Sequence, residues 1–553
     1  MPAPADDVVM PHGNIASHLS LRAAENPDGR AVVAWERGRW RSRTFAQLDA
    51  ESDALARGFT RLGVRRGMRV VVMAPPSPDF FAAVSALLKL GAVLVLVDPG
   101  LGRRSVLRCL ESIAAEAFVG VSAAHLARVF FPRPFRTVRI LATIGPKIPG
   151  SGPTLQGLHD PGPFVIAPTA PDDPAAILFT SGVTGLPKGA VFTHGNLQAQ
   201  VEVLRRTYGI APGEVDLSTF APFALFAPAL GVTSVIPDMD TGAPARADPV
   251  KLAHAIFTQG CTTMFGSPAL LDKLSRWAQK TDVRFNTLER VICAGAPVRF
   301  DILDRMAGRL RLGAQVFTPY GATEALPVTN VGSDEVLAET AARTLQGHGI
   351  CVGRPVDGVD VRVVPLTDGP IDRWSDELVL PAGAIGEIVV RGPVVSRSYW
   401  GSEETNRLAK IRAGGDVLHR MGDVGYFDDR GRLWICGRKD ERVRTASGDL
   451  FPLAVEPIFD QHPAVRRTAL VGVKPAGSHI PVLVVEKEPE ARIRPDVLAA
   501  ELLALGERHD ASRDVRHVLV YPGTFPVDAR HEAKIQRAVL ASWAAKRLDG
   551  RRG

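Results

Sequence analysis

Paired cysteine is what this sequence lacks most plainly. Its five cysteines, Cys109, Cys261, Cys293, Cys351 and Cys436, are odd in number, far apart and never in a CxxC arrangement. That pattern excludes a disulfide framework and a zinc knuckle, and it predicts reduced core thiols in a cytoplasmic protein. No secretory leader is expected either, because the stretch MPAPADDVV has neither a basic nor an apolar region. No unbroken run of membrane length occurs. The one uncharged candidate, Leu217 to Pro237, is interrupted by Pro222, Pro228 and Gly231 and reads as buried strand and pocket wall. A formal charge of +7 comes from Lys and Arg scattered among acids, with no basic stripe interleaved with aromatics. Nucleic acid is therefore not an expected partner; the surplus suits a solvated surface that attracts an anionic substrate.

What is present is ordinary globular composition, 46% hydrophobic and 23% charged over 553 residues. That length has room for roughly three or four domain-sized units. Residues 69–100, RVVVMAPPSPDFFAAVSALLKLGAVLVLVDPG, read as strand, turn, helix and strand, a βαβ unit. A second alternation follows: Asn196 caps a helix to about Tyr208, helices lie near 250–259 and 268–279, and TTMFGSP and RVICAGAP are strands running into turns. Doubly wound sheets are predicted, with ligands beyond the carboxyl ends of their strands. From about 350 the texture changes to short strands broken by Gly, Pro and Asp. A compact tail of mixed elements fills 438–553, and the Pro-rich region 146–174 reads as a loop.

Polar chemistry gathers first in LFTSGVTGLPKGAVFTHGN, residues 178–196. Ala175 to Phe179 make a buried strand that breaks at once into turn formers. Hydroxyls of Thr180, Ser181 and Thr184, backbone N–H groups near Gly182, Gly185 and Gly189, and the cation of Lys188 make a phosphate cradle on an exposed loop. It is not a Walker A loop, since Pro187 precedes the lysine and Gly189 follows it. An ordinary Gly/Ser/Thr surface loop would have the same composition.

Three further clusters follow in order. TPYGATEALPV carries Tyr320, Thr323 and Glu324 after an apolar strand; HRMGDVGYFDDRGRLWICGRKD carries Asp423 and Arg438; PVDARHEAKIQR carries Lys534. Singly these read as a turn, a Gly-rich hairpin and a solvated helix lysine. As an ordered set with the 178–196 loop they resemble the adenylate-forming superfamily of acyl-CoA ligases, peptide-synthetase adenylation domains and luciferases over nearly the whole chain.

The resemblance implies an α/β fold: a large N-terminal domain, 1–437, of two doubly wound sheets plus a small β-barrel at about 350–437, and a smaller mobile α+β C-terminal domain, 438–553. It also implies a reaction in which a carboxylate attacks the α-phosphate of ATP, pyrophosphate leaves, and the acyl-adenylate meets a second nucleophile. Thr180, Ser181, Gly182, Thr184, Gly185 and Lys188 would then hold the β- and γ-phosphates. Tyr320 would stack on adenine, framed by backbone at Gly295 and Ala296, while Thr323 would bond the α-phosphate. Glu324 would ligate Mg²⁺, Asp423 would accept from the ribose hydroxyls beside Arg438, and Lys534 would meet the growing negative charge. Asp440 matches the superfamily's hinge position.

Two departures bear on the second nucleophile. Many acyl-CoA ligases carry a histidine where this chain has FAPFALFAPALG, and the terminal motif here is FPVDARHEAKIQR. Together with ALGVTSVIPDMD, FGSPALL and YGATEALPV they are similar to OleC-type β-lactone synthetases of bacterial olefin biosynthesis. There the β-hydroxyl of a long-chain 2-alkyl-3-hydroxy acid closes on its own activated carboxyl, and no thiol is needed. The wall from Phe220 to Ile236, with Phe265 to Leu271, fits an alkyl-chain pocket, and a core strand would read the same. Association with other enzymes of such a pathway is a further expectation. A long-chain fatty acyl-CoA ligase using CoA, and a catalytically inactive adenylate- or acyl-binding protein, are the competing readings. A peptide-synthetase module is not expected, since little chain follows Lys534 to hold a carrier domain.

Overall fold

The computed structural model describes residues 13–180, 187–474, 479–526 and 535–549, without the side chains of Pro99, Thr180, Ala221, Pro222 and Asp549. The chain forms two compact units. The first takes in Met1–Phe265 and Pro393–Asn406, the second Gly266–Gly392 and Arg407–Gly553.

The first unit holds the βαβ unit predicted at 69–100. Strand Arg69–Met73, helix Pro78–Lys89 and strand Val93–Val97 follow one another, because RVVVM and VLVLV are buried β-branched runs and Ser77 caps the helix between them. The sheet runs Ser398–Tyr399, Lys188–Thr193, Pro174–Thr180, Val93–Val97, Arg69–Met73, Ala117–Val121, Ile140–Ile144. Its five central and far strands are parallel, and Lys188–Thr193 and Ser398–Tyr399 add antiparallel. A second group of strands in this unit, Thr263–Gly266, Val215–Ser218, Thr233–Ile236 and Arg30–Glu36, is parallel, with Arg39–Thr44 antiparallel at its edge.

Two local expectations need correction. Helix His194–Tyr208 is capped by Thr193 rather than Asn196: the Thr193 hydroxyl accepts the Asn196 N–H at 3.1 Å while Asn196 Oδ1 accepts the Thr193 N–H at 3.0 Å. Asn196 is thus the third helical residue of a capping box. In the region 146–174, Leu155–Leu158 forms a single helical turn. The stretch 217–237 is a strand, two four-residue helices, Ala221–Ala224 and Ala227–Leu230, and a second strand. Pro222 and Pro228 start those helices and Gly231, at φ 72°, ends the second. Among the described residues no helix is long and apolar enough to cross a membrane, and all five cysteines are free and buried.

In the second unit, the β-rich part expected from about 350 belongs to an eight-stranded antiparallel sheet. Its order is Tyr320–Ala322, Ala325–Asn330, Ile350–Pro355, Leu433–Arg438, Asp416–Phe427, Gly386–Arg391, Asp360–Val364, with Lys410–Ala413 also paired to Asp416–Phe427. The parallel pair Arg290–Cys293 and Gln315–Phe317 leads the chain into it. Farther on, Val465–Val473, Ile480–Lys487 and His517–Val520 form a three-stranded sheet covered by helices on both faces. Alternation shows why both faces are apolar. Leu470, Leu483 and Val485 pack with Ile458, Phe459 and Leu498, whereas Val471, Val482 and Val484 pack with Leu540 and Ala544.

Candidate active site

Antiparallel strands Asp416–Phe427 and Leu433–Arg438 set Asp423 directly opposite Arg438. The guanidinium reaches Asp423 Oδ1 at 2.8 Å, and the phenol of Tyr320 donates to Oδ2 at 2.7 Å. Both carboxylate oxygens are therefore fixed from two sides, and the plane of this buried acid is set. Burial, with the Asp423 charge behind it, holds the Tyr320 phenol well above its usual range, so it remains a donor. Burial works most strongly against the Arg438 cation, but the charge and hydrogen bond of Asp423 together with Tyr320 and Glu441 outweigh it, and the guanidinium pKa is raised.

Strands Tyr320–Ala322 and Ala325–Asn330 pair Ala322 with Ala325, so Thr323 and Glu324 are the two residues of a tight hairpin turn. Gly321 lets the strands meet, since a Cβ there would lie 2.6 Å from the Ala325 carbonyl oxygen. Thr323 faces solvent and Glu324 is buried. Lys410, which carried no signal in the sequence, is buried at the start of its strand within the electrostatic reach of Glu324. Burial pulls its ammonium down to about 7, and the negative charge of Glu324 opposes the drop. Gly295, at φ 102°, and Ala296 follow the carboxyl end of strand Arg290–Cys293.

In the first unit, Thr180 ends its strand directly opposite Lys188. The expected exposed loop lysine is instead the first residue of a strand and half-buried, with Nζ 5.7 Å from the centre of the Tyr399 ring. The reason is that Ser398–Tyr399 pairs with that strand, a contact the local sequence around Lys188 does not announce. Ser181, Gly182, Thr184 and Gly185 lie outside the described residues, as does Lys534.

The proposed alkyl-chain wall divides. Phe223 stacks on Phe265 at 4.6 Å and Phe220 stacks on it at 5.6 Å, leaving Phe220 37% exposed and available to a ligand. Ala229, Leu230, Val235, Leu270 and Leu271 are instead buried core, so that part of the apolar pattern is packing. No group of three or more His, Cys, Asp or Glu able to hold a metal ion occurs among the described residues.

The family described as AMP-binding enzyme matches residues 19–400. An olefin beta-lactone synthetase of Stenotrophomonas maltophilia is 46% identical, with 97% of this chain and 99% of that one aligned. One of Xanthomonas campestris is also 46% identical, over 96% and 98%. A feruloyl-CoA synthase of an Amycolatopsis species is 29% identical over 83% of this chain and 86% of its own length. Among solved structures, the amide bond synthetase McbA of Marinactinospora thermotolerans superposes with a TM-score of 0.77 at 23% identity, covering 96% of this chain and 99% of that one. ATP-bound MatB of Rhodopseudomonas palustris gives 0.77 at 21%, over 97% and 99%. Those two likenesses carry the fold. Taken with the family match and the full-length relatives, they mean that this chain belongs to the AMP-binding enzyme family, which it shares with the two olefin beta-lactone synthetases.

Proposed function

We propose that the chain is an ATP-dependent β-lactone synthetase, acting on a long-chain 2-alkyl-3-hydroxy carboxylic acid. The observation that carries the reading is 46% identity, sustained over nearly the whole length, to two olefin beta-lactone synthetases. Its second support is FAPFALFAPALG, a segment without histidine whose Phe220 and Phe223 both stack on Phe265.

In the first half-reaction an oxygen of the substrate carboxylate attacks the α-phosphorus of ATP, the bond to the β-phosphate breaks, and pyrophosphate leaves. Asp423, held flat by Tyr320 and Arg438, takes the ribose hydroxyls, and the Tyr320 ring stacks on adenine, which the backbone at Gly295 and Ala296 frames. The Thr323 hydroxyl, exposed at the hairpin tip, donates to the α-phosphate. Lys188 with Thr180, Ser181, Gly182, Thr184 and Gly185 holds the departing pyrophosphate, and Lys534 offsets charge at the α-phosphate. Glu324 fits Mg²⁺ in chemistry, being a carboxylate at the turn beside Thr323. When bound, the ion would neutralise phosphate charge.

In the second half-reaction the substrate's own β-hydroxyl attacks the acyl carbon, AMP leaves with the C–O bond that breaks, and the hydroxyl proton passes to solvent. Ring closure needs no second substrate, and good alignment contributes effective molarities of roughly 10⁵–10⁸ M against the strain of a four-membered ring. The tail from 438 is the mobile domain and Asp440 its hinge. Cytoplasmic residence beside other enzymes of the same pathway belongs to the same reading.

Product analysis tests it. Incubated with ATP, Mg²⁺ and a long-chain 2-alkyl-3-hydroxy acid, the protein should yield β-lactone, AMP and pyrophosphate without CoA, and the 3-deoxy acid should stall as acyl-adenylate. CoA thioester from both acids with no lactone would overturn the assignment to lactone synthesis.

A further inference from the structure

Large apolar side chains on the surface of this protein are scattered, with one exception. Helix Ser122–Phe130 exposes Leu126 by 48%, Val129 by 57% and Phe130 by 75%. Among the described residues no other five-residue stretch presents three such side chains. Positions 126, 129 and 130 fall on one helical face. The rest of the helix is fastened inward: Ala124 and His125 are buried, and His125 Nε2 lies 3.0 Å from the Ala142 carbonyl oxygen. The exposure is therefore a property of a docked helix.

The surroundings are cationic. Residues 103–139 contain seven arginines, no lysine and two glutamates. Both acids are already engaged, Glu111 with Arg133 at 2.8 Å and Glu116 with Arg69 at 3.0 Å. Arg103 lies over the ring of Phe131, 5.6 Å from its centre, which brings the neighbouring helix Arg103–Ile113 alongside the exposed tip. Arg128 donates to the Gly150 carbonyl oxygen at 2.7 Å, and Arg136 and Arg139 face solvent.

We propose that this helix end is a membrane-docking surface, on which Leu126, Val129 and Phe130 enter the interfacial layer of an anionic bilayer while the arginines around them meet lipid phosphate. An apolar tip in an arginine-rich segment with no unengaged acid matches a bilayer, which presents a phosphate layer outside an apolar one. Snorkelling arginine stems extend the apolar contact outward to the charged layer. The surface lies at the edge of its sheet beside strand Ile140–Ile144, and none of its residues belongs to the proposed nucleotide site.

The test is vesicle flotation of the full-length protein. Vesicles of phosphatidylcholine mixed with phosphatidylglycerol should carry about tenfold more protein than phosphatidylcholine alone, and high salt should reduce the difference. The double variant V129S/F130S should lower flotation with the anionic vesicles by about tenfold at an unchanged thermal midpoint, because both side chains are exposed. R133Q/R136Q reads the same surface through charge and should lower it as well, which keeps the test valid if the apolar variant misfolds. Absence of flotation with anionic vesicles, or flotation indifferent to both variants, overturns the proposal. So does a dimer abolished by V129S/F130S in protein that fails to float, since the patch would then serve a second copy of the chain.

Discussion

Lys439 donates to both carboxylate oxygens of Glu387, at 3.0 and 3.1 Å, anchoring the chain one residue before Asp440 to the eight-stranded sheet. One residue after it, Glu441 accepts from Arg537 Nε at 3.0 Å, and Arg537 also pairs with Glu456. Asp440 is the single residue between an anchor on the sheet and an anchor on the tail. If it is the pivot, D440P, which fixes φ and removes an N–H, should uncouple the half-reactions, changing the ratio of their single-turnover rates by at least about tenfold. Equal loss of acyl-adenylate formation and lactone release would remove Asp440 from that role.

Asp423 and Tyr320 make contributions of different size. D423N should lower kcat/KM for ATP by about ten- to a hundredfold, the range for losing hydrogen bonds to a charged group. Y320F keeps the ring and loses one hydrogen bond, so a fall of about two- to tenfold is expected. Steady-state kinetics at varied ATP distinguish the two, and a larger effect for Y320F would place the phenol, not the carboxylate, at the nucleotide.

Lys188 packs against Tyr399, so K188A would mix lost charge with lost packing. K188M retains the stem. Its thermal midpoint should stay close to wild type while carboxylate-dependent pyrophosphate release falls by at least about tenfold. Unchanged release in K188M would take the lysine out of the phosphate cradle.

His194 gives a pH signature. Its Nδ1 accepts the Ile15 N–H at 3.2 Å, and burial lowers its pKa from 6.5 to about 4. The folded protein then binds fewer protons than the unfolded chain between these values. The stability this contributes is complete above pH 6.5 and is lost as pH falls towards 4, with a slope of at most about 1.4 kcal/mol per pH unit. H194Q should flatten the fall of the thermal midpoint between pH 7 and pH 5, and an identical profile in the variant would contradict the argument.

Much of this was legible in the sequence where the signal is local. The βαβ unit at 69–100 followed from β-branched runs and from Ser77-Pro78, both read within a few residues. The proline breaks in 217–237 spoke against a membrane span, and the stretch folds as two short helices between strands; among the described residues of the wall only Phe220 is exposed. Non-local facts were hidden. Asp423 and Arg438 both stand out in the sequence, but their pairing depends on the register of two strands. Lys410 sits in LAKIRAGG, which reads as any surface helix end until Lys410–Ala413 is seen to pair with Asp416–Phe427. Thr193 and Asn196 were separable only by the capping geometry itself.

The segment Pro393–Asn406 returns to the first unit after Gly266–Gly392, the earlier part of the second, has been made. Asn196 waits for it: its side-chain amide donates to the carbonyls of Pro393 at 2.7 Å and Val395 at 3.1 Å, the latter 199 residues away. A chain emerging from the ribosome therefore holds the edge strand beside the phosphate loop uncovered until residues 393–406 have cleared the exit tunnel. Nascent protein that contains Lys188–Thr193 but not yet Ser398–Tyr399 carries an unpaired strand edge, the state most exposed to chaperones and to aggregation.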